Sequence, residues 1–103
     1  MSQSLDAYLI LASLLFAIGA FGFLARRNAI AMLMSIELML NAVNLTIVAF
    51  GAFVPDLRGD AAVIALMVMA VAAAEATVGL AIVIAIFRNR GTPLVDEYAA
   101  MRE

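Results

Sequence analysis

Three long, mostly apolar runs, residues 7–25, 29–54 and 61–87, take up most of this chain. A membrane-spanning helix needs about 20 mainly apolar residues, within roughly 17–25, and a longer run is accommodated by tilting. All three runs meet that requirement. Backbone groups in hydrocarbon must be satisfied inside their own segment or in a closed barrel, and the apolar/polar alternation of barrel strands is absent. The expected fold class is therefore an all-α membrane protein with three transmembrane helices, forming a single membrane domain over residues 1–103. Composition agrees: 67% of the 103 residues are hydrophobic and 14% charged. Soluble domains run near ~45–50% apolar and ~25% charged, and a chain this short could not bury the excess by itself.

The links between the runs are short. Arg26, Arg27 and Asn28 separate the first two, and Pro55, Asp56, Leu57, Arg58, Gly59 and Asp60 separate the second and third. Such links impose an up-down-up arrangement. Arg26, Arg27, Arg88, Arg90 and Arg102 fall on one side, and only Arg58, between Asp56 and Asp60, falls on the other. Basic residues collect on the cytoplasmic side, which predicts the N-terminus outside and the C-terminus inside. A cleaved signal peptide fits the first run poorly, because a signal begins with a basic stretch and Met1 to Asp6 contains none. The polar tail, 89–103, is compatible with a short surface helix or with none.

The missing residue types narrow the chemistry. Without Cys or His there is no thiolate or imidazole ligand, no disulfide and no imidazole base. All 6 basic residues are Arg, which excludes a P-loop or a Lys Schiff base. A net charge of −2 offers no basic face to nucleic acid. Carboxylates, hydrogen bonds and packing remain.

Two carboxylates, Glu37 and Glu75, are the only charged residues inside the apolar runs. A charge at a helix centre costs about 2.5–3.5 kcal/mol on insertion scales, and an intramembrane ionisable residue is by default a functional candidate. At 1.5 Å per residue, Glu37 lies roughly 13 Å from the Arg-rich face and Glu75 roughly 18 Å, one helical turn apart. Both are near mid-membrane, a placement suited to lateral proton transfer between them. On the second helix Asn41 and Asn44 fall within roughly 40° and 20° of Glu37, on either side. An amide can hydrogen-bond a carboxyl in either protonation state. Ser35 and Thr46 point elsewhere and can bond back to their own helix. Around Glu75 stand Ala70, Ala72, Ala73, Ala74, Ala76 and Gly79, and the first helix carries Ser13, Ala17, Gly19, Ala20 and Gly22. Small residues allow close helix approach. Met32, Met34, Met39, Met67 and Met69 are expected to be packing. Arg26 and Arg27 serve most simply as topology anchors. Desolvation disfavours a charged carboxylate and a nearby cation favours it, so a buried Glu can be switched by hydration or by a moving charge.

The stretch Ser35-Ile36-Glu37-Leu38-Met39-Leu40-Asn41-Ala42-Val43-Asn44-Leu45 resembles the second helix of the subunit K family of bacterial NADH:quinone oxidoreductase, respiratory complex I, whose mitochondrial counterpart is subunit 4L. Ala73-Ala74-Glu75-Ala76-Thr77-Val78-Gly79-Leu80-Ala81-Ile82 is similar to that family's third helix. Arg26-Arg27-Asn28, the length and the topology fit as well, and the resemblance covers residues 5 to 90. It implies a membrane-arm component beside the A, J and N subunits and close to the quinone-binding H subunit, in a bacterial inner membrane and not functional as a monomer. Glu37 and Glu75 would match the family's two membrane glutamates, on the polar axis that couples quinone reduction to proton translocation, with Asn41, Asn44, Arg26 and Arg27 in support. NADH, flavin, iron–sulfur clusters and quinone would belong to other subunits, with no cofactor in this chain. Two other readings stay open: a space-filling structural subunit, and a self-assembled ion channel, against which three spans and two carboxylates speak.

Overall fold

A computed structural model of the chain describes residues 4–90, and these are helical apart from short connections, with no strand among them. Helix α1 is Leu5–Ala25, α2 is Ala29–Phe53, and α3 is Arg58–Arg90, preceded by a short 3-10 turn at Pro55–Leu57. Each of the three is long and apolar enough to cross a membrane. The start of α1 and both ends of α3 extend beyond the hydropathy runs 7–25 and 61–87, because helical hydrogen bonding continues through polar residues there, whereas α2 ends one residue short of the run 29–54. Helix α1 starts at Leu5 because the Ser4 hydroxyl caps it, accepting from the Ala7 N–H at 3.2 Å. Asn28 is more than part of a link, since it caps α2: its Oδ1 accepts from the N–H groups of Ile30 at 2.8 Å and Ala31 at 3.4 Å. Helix α2 stops at Phe53, one residue before Val54 and Pro55. Helix α3 takes in Arg58, Gly59 and Asp60, the last favourably placed in its first turn, and runs on through Asn89 and Arg90. The remaining tail, 91–103, and Met1, Ser2 and Gln3 lie outside the described residues.

Helix α2 is the middle element, packed on α1 on one side and α3 on the other, and α1 and α3 share no extended contact. Among the described residues the buried ones are all alanine or glycine: Ala12, Gly19, Ala42, Ala49, Gly51, Ala61, Ala65 and Ala72. The interior is thus a pair of backbone-to-backbone seams, the packing mode expected where hydrocarbon removes the hydrophobic drive between helices. A Cβ at Gly19 would fall 2.6 Å from Met39 Cγ and 2.9 Å from the Ser35 carbonyl oxygen. One at Gly51 would fall 2.5 Å from the Ala61 Cβ. The hydroxyls of Ser13, Ser35, Thr46 and Thr77 each donate to the carbonyl four residues back, at 2.8–3.0 Å, so none is left unsatisfied in hydrocarbon. Met39 packs at the α1–α2 seam as expected, but Met34, Met67 and Met69 are exposed on this chain's outer surface.

These contacts set the register. On the α1 side Gly22 meets Ser35, Gly19 meets Met39, and the Tyr8 and Phe53 rings lie 5.7 Å apart at the other end. On the α3 side Gly51 meets Ala61 and Gly79 meets Leu33. The ends near Tyr8, Phe53 and Arg58 are therefore level, and the unequal helix lengths appear at the Arg26 end. Helix α3 runs eleven residues past Gly79, which is level with Leu33. Helix α1 runs only three past Gly22, level with Ser35, and so ends about one residue beyond Leu33. The ten-residue difference is roughly 15 Å. The Arg26-Arg27 turn is recessed beside the protruding, still apolar end of α3.

Candidate functional site: two carboxylates at one level

Leu33 meets Gly79. Four residues onward along α2 is Glu37, and four residues back along the antiparallel α3 is Glu75. The two carboxylates therefore stand at the same level. The one-turn offset inferred from sequence arose from measuring depth from Asn28 and Phe87, which are not level.

Glu37 is half-buried, and its Oε1 is buried with no hydrogen-bond partner among the described residues. It lines an open groove of about 750 Å³ that lies over α2 between α1 and α3. The α1 wall is Ile18, Gly22 and the capping residue Arg26, spaced four apart; the α3 wall is Ala76 and Leu80. Asn41 lines the groove with Glu37, as their shared helix face requires. Asn44 does not reach it. Asn44 is half-buried, and its Oδ1 is likewise buried with no hydrogen-bond partner among the described residues. The asparagine stripe is thus divided, with one amide in the groove and one outside it.

Glu75 has a different setting. It is exposed on this chain and is not among the groove residues. It stands about 100° around α3 from Ala76, on the flank of the α2–α3 seam turned away from the groove. Of the small residues around it, Ala72 is buried and Ala76 and Gly79 are half-buried, whereas Ala70, Ala73 and Ala74 are exposed beside it. The structure brings Glu37, Asn41 and Arg26 to one groove and leaves Asn44 and Glu75 outside it. Arg27 is exposed and does not line the groove. The groove's dependence on Gly22 and Ala76 is not legible in the sequence; their signal there is only the small size of residues at four-residue spacings. Among the described residues no group of three Asp or Glu side chains is placed to hold a metal ion.

What this arrangement can do is hold and pass protons: two carboxyls, amides able to donate or accept, and no redox group among its side chains. The family model for NADH-ubiquinone/plastoquinone oxidoreductase chain 4L matches residues 7–103. NADH-quinone oxidoreductase subunit K of Anaeromyxobacter sp. strain Fw109-5 is 57% identical over 96 residues, covering 93% of this chain and 94% of that one. The protein of the same name from Myxococcus xanthus is 56% identical over 95 residues, covering 92% and 93%. That of Caulobacter vibrioides is 52% identical over 99 residues, covering 95% and 96%. The chain belongs to the chain 4L, or subunit K, family of the NADH-quinone oxidoreductases.

Proposed function

We propose that this membrane subunit contributes Glu37 and Glu75 to a lateral proton-transfer path that couples quinone reduction to proton translocation. The observation that carries the reading is the level placement of two intramembrane carboxylates, with a buried oxygen of Glu37 that has no hydrogen-bond donor among the described residues. A carboxyl oxygen in hydrocarbon without a donor is costly, so the groove is a surface made to be completed by water or by another subunit. Exposure of Glu75 on the opposite flank calls for a second covering element there. The A, J, N and H subunits of the same complex are the proposed neighbours. NADH, flavin, iron–sulfur clusters and quinone are bound by other chains, and this one has no catalysis of its own. The arginine distribution supports an N-terminus outside and a C-terminus inside, in a bacterial inner membrane.

The test is proton pumping by the assembled complex carrying Glu37→Gln, reconstituted in vesicles. The substitution keeps size and hydrogen bonding and removes the titratable proton. Loss of pumping with assembly intact supports the relay; full pumping in a correctly assembled complex rejects it and leaves a structural role.

A further inference from the structure

The recessed end of α1 has a chemical consequence. Arg26 lies four residues beyond Gly22, which meets Ser35, and Glu37 lies two residues beyond Ser35 in the opposite sense along the axis. Six residue-steps separate Arg26 from Glu37, roughly 9 Å along the axis. Both line the same groove, and they are its only charged residues. Glycine at position 22 leaves the α1 wall between them without a side chain. Glu75 faces the other flank, Asp56, Arg58 and Asp60 lie at the far end of the helices, and Arg88 and Arg27 do not line the groove.

We propose that Arg26 is the movable counter-ion of Glu37. When Glu37 is ionised, the guanidinium lies along the groove and meets Oε1, directly or through one water. When Glu37 is protonated, the guanidinium withdraws to the Arg26 end. The physical logic has two parts. An ionised carboxylate in a low-dielectric site needs a cation and hydrogen-bond donors, and arginine supplies both in a planar fork. A protonated carboxyl holds no charge to offset the guanidinium's own dehydration, so the arginine returns to water while its aliphatic stem stays on the apolar wall. Arginine suits the task because it keeps its charge throughout. The role of the pairing in coupling rests on the relay reading above; the pairing itself does not.

The test is chemical labelling of the assembled complex. An apolar carbodiimide takes up the proton of a protonated carboxyl group in the membrane and is then attacked by its oxygen, and mass spectrometry of this chain separates Glu37 from Glu75. Arg26→Gln should raise the labelling rate of Glu37 several-fold. Arg26→Lys should restore the slow rate, and Arg27→Gln should leave it at the wild-type value. Glu75, on the other flank, should label equally in all of these and serves as the internal reference. An unchanged Glu37 rate in Arg26→Gln, an equal rise in Arg27→Gln, or a parallel rise at Glu75 overturns the proposal. The reciprocal measurement needs no Arg26 variant: in a Glu37→Gln complex a water-soluble diketone should modify Arg26 several-fold faster than in wild type, and equal rates overturn the pairing. Pumping by Glu37→Gln decides the relay, and these labelling rates decide the counter-ion, so either idea can fail alone.

Discussion

Glu37 and Glu75 stand level with each other on antiparallel helices, yet they open onto opposite flanks of the seam between them. A path through both must therefore cross the α2–α3 seam, where Gly51 meets Ala61 and Gly79 meets Leu33.

This asymmetry ranks the two glutamates. Glu37 has Asn41 in its groove, whereas the exposed residues flanking Glu75, Val71, Ala74 and Val78, are all apolar. Glu37→Gln is expected to abolish or greatly reduce coupled quinone reduction, and Glu75→Gln to cause a milder loss. Side-by-side rates in membranes with equal complex content check the order; an equal or larger loss at Glu75 reverses it.

The seams predict which small residues resist enlargement. Gly19→Val and Gly51→Val place atoms where Met39, the Ser35 carbonyl and Ala61 already sit, and neither backbone can yield. Both should sharply reduce the amount of this chain in the assembled complex, read by native electrophoresis. Gly59→Ala is the contrasting case, since no atom beyond its own stretch of helix lies within 4 Å of its added Cβ. It replaces a glycine in the first turn of α3 by a better helix former, and assembly should be undiminished or improved.

Asn28 offers a third test. Its Oδ1 satisfies two N–H groups at the start of α2. Asn28→Ala should cost about 1 kcal/mol of local stability, while Asn28→Asp should retain the cap. Amide hydrogen exchange at Ile30 and Ala31 in the detergent-purified complex reads this directly: faster exchange in the alanine variant and near wild-type exchange in the aspartate variant.

Much of the fold could be read from the residues because hydrocarbon permits few solutions. Runs of the right length and two short links yield three helices in up-down-up order. The serine and threonine back-bonds follow from the same rule that no polar group goes unsatisfied. Two features required three dimensions. Relative depth could not be obtained by counting from Asn28 and Phe87, because the stagger of helix ends depends on which glycine meets which side chain. The separation of Glu75 from Glu37's groove likewise depends on the seam, since helical angles measured on one helix say nothing about where its neighbour sits. The Asn28 cap, by contrast, is present in the sequence as an asparagine directly before an apolar run, a standard start signal. The family resemblance points to both glutamates but not to the recess that brings Arg26 toward one of them.

Buried positions that are, among the described residues, only alanine and glycine turn the usual map of mutational tolerance inside out. In a water-soluble domain the large apolar side chains are the ones that cannot change, because they fill the centre. Here Phe21, Leu24, Met34 and Leu66 point away from the chain, and what they must fit is set by whatever lies alongside. The subunit's identity as a folded object resides in positions that carry almost no side chain. Its outer surface is left to be shaped by neighbours, so a new partner can be accommodated by altering large residues without disturbing the contacts that hold the three helices together.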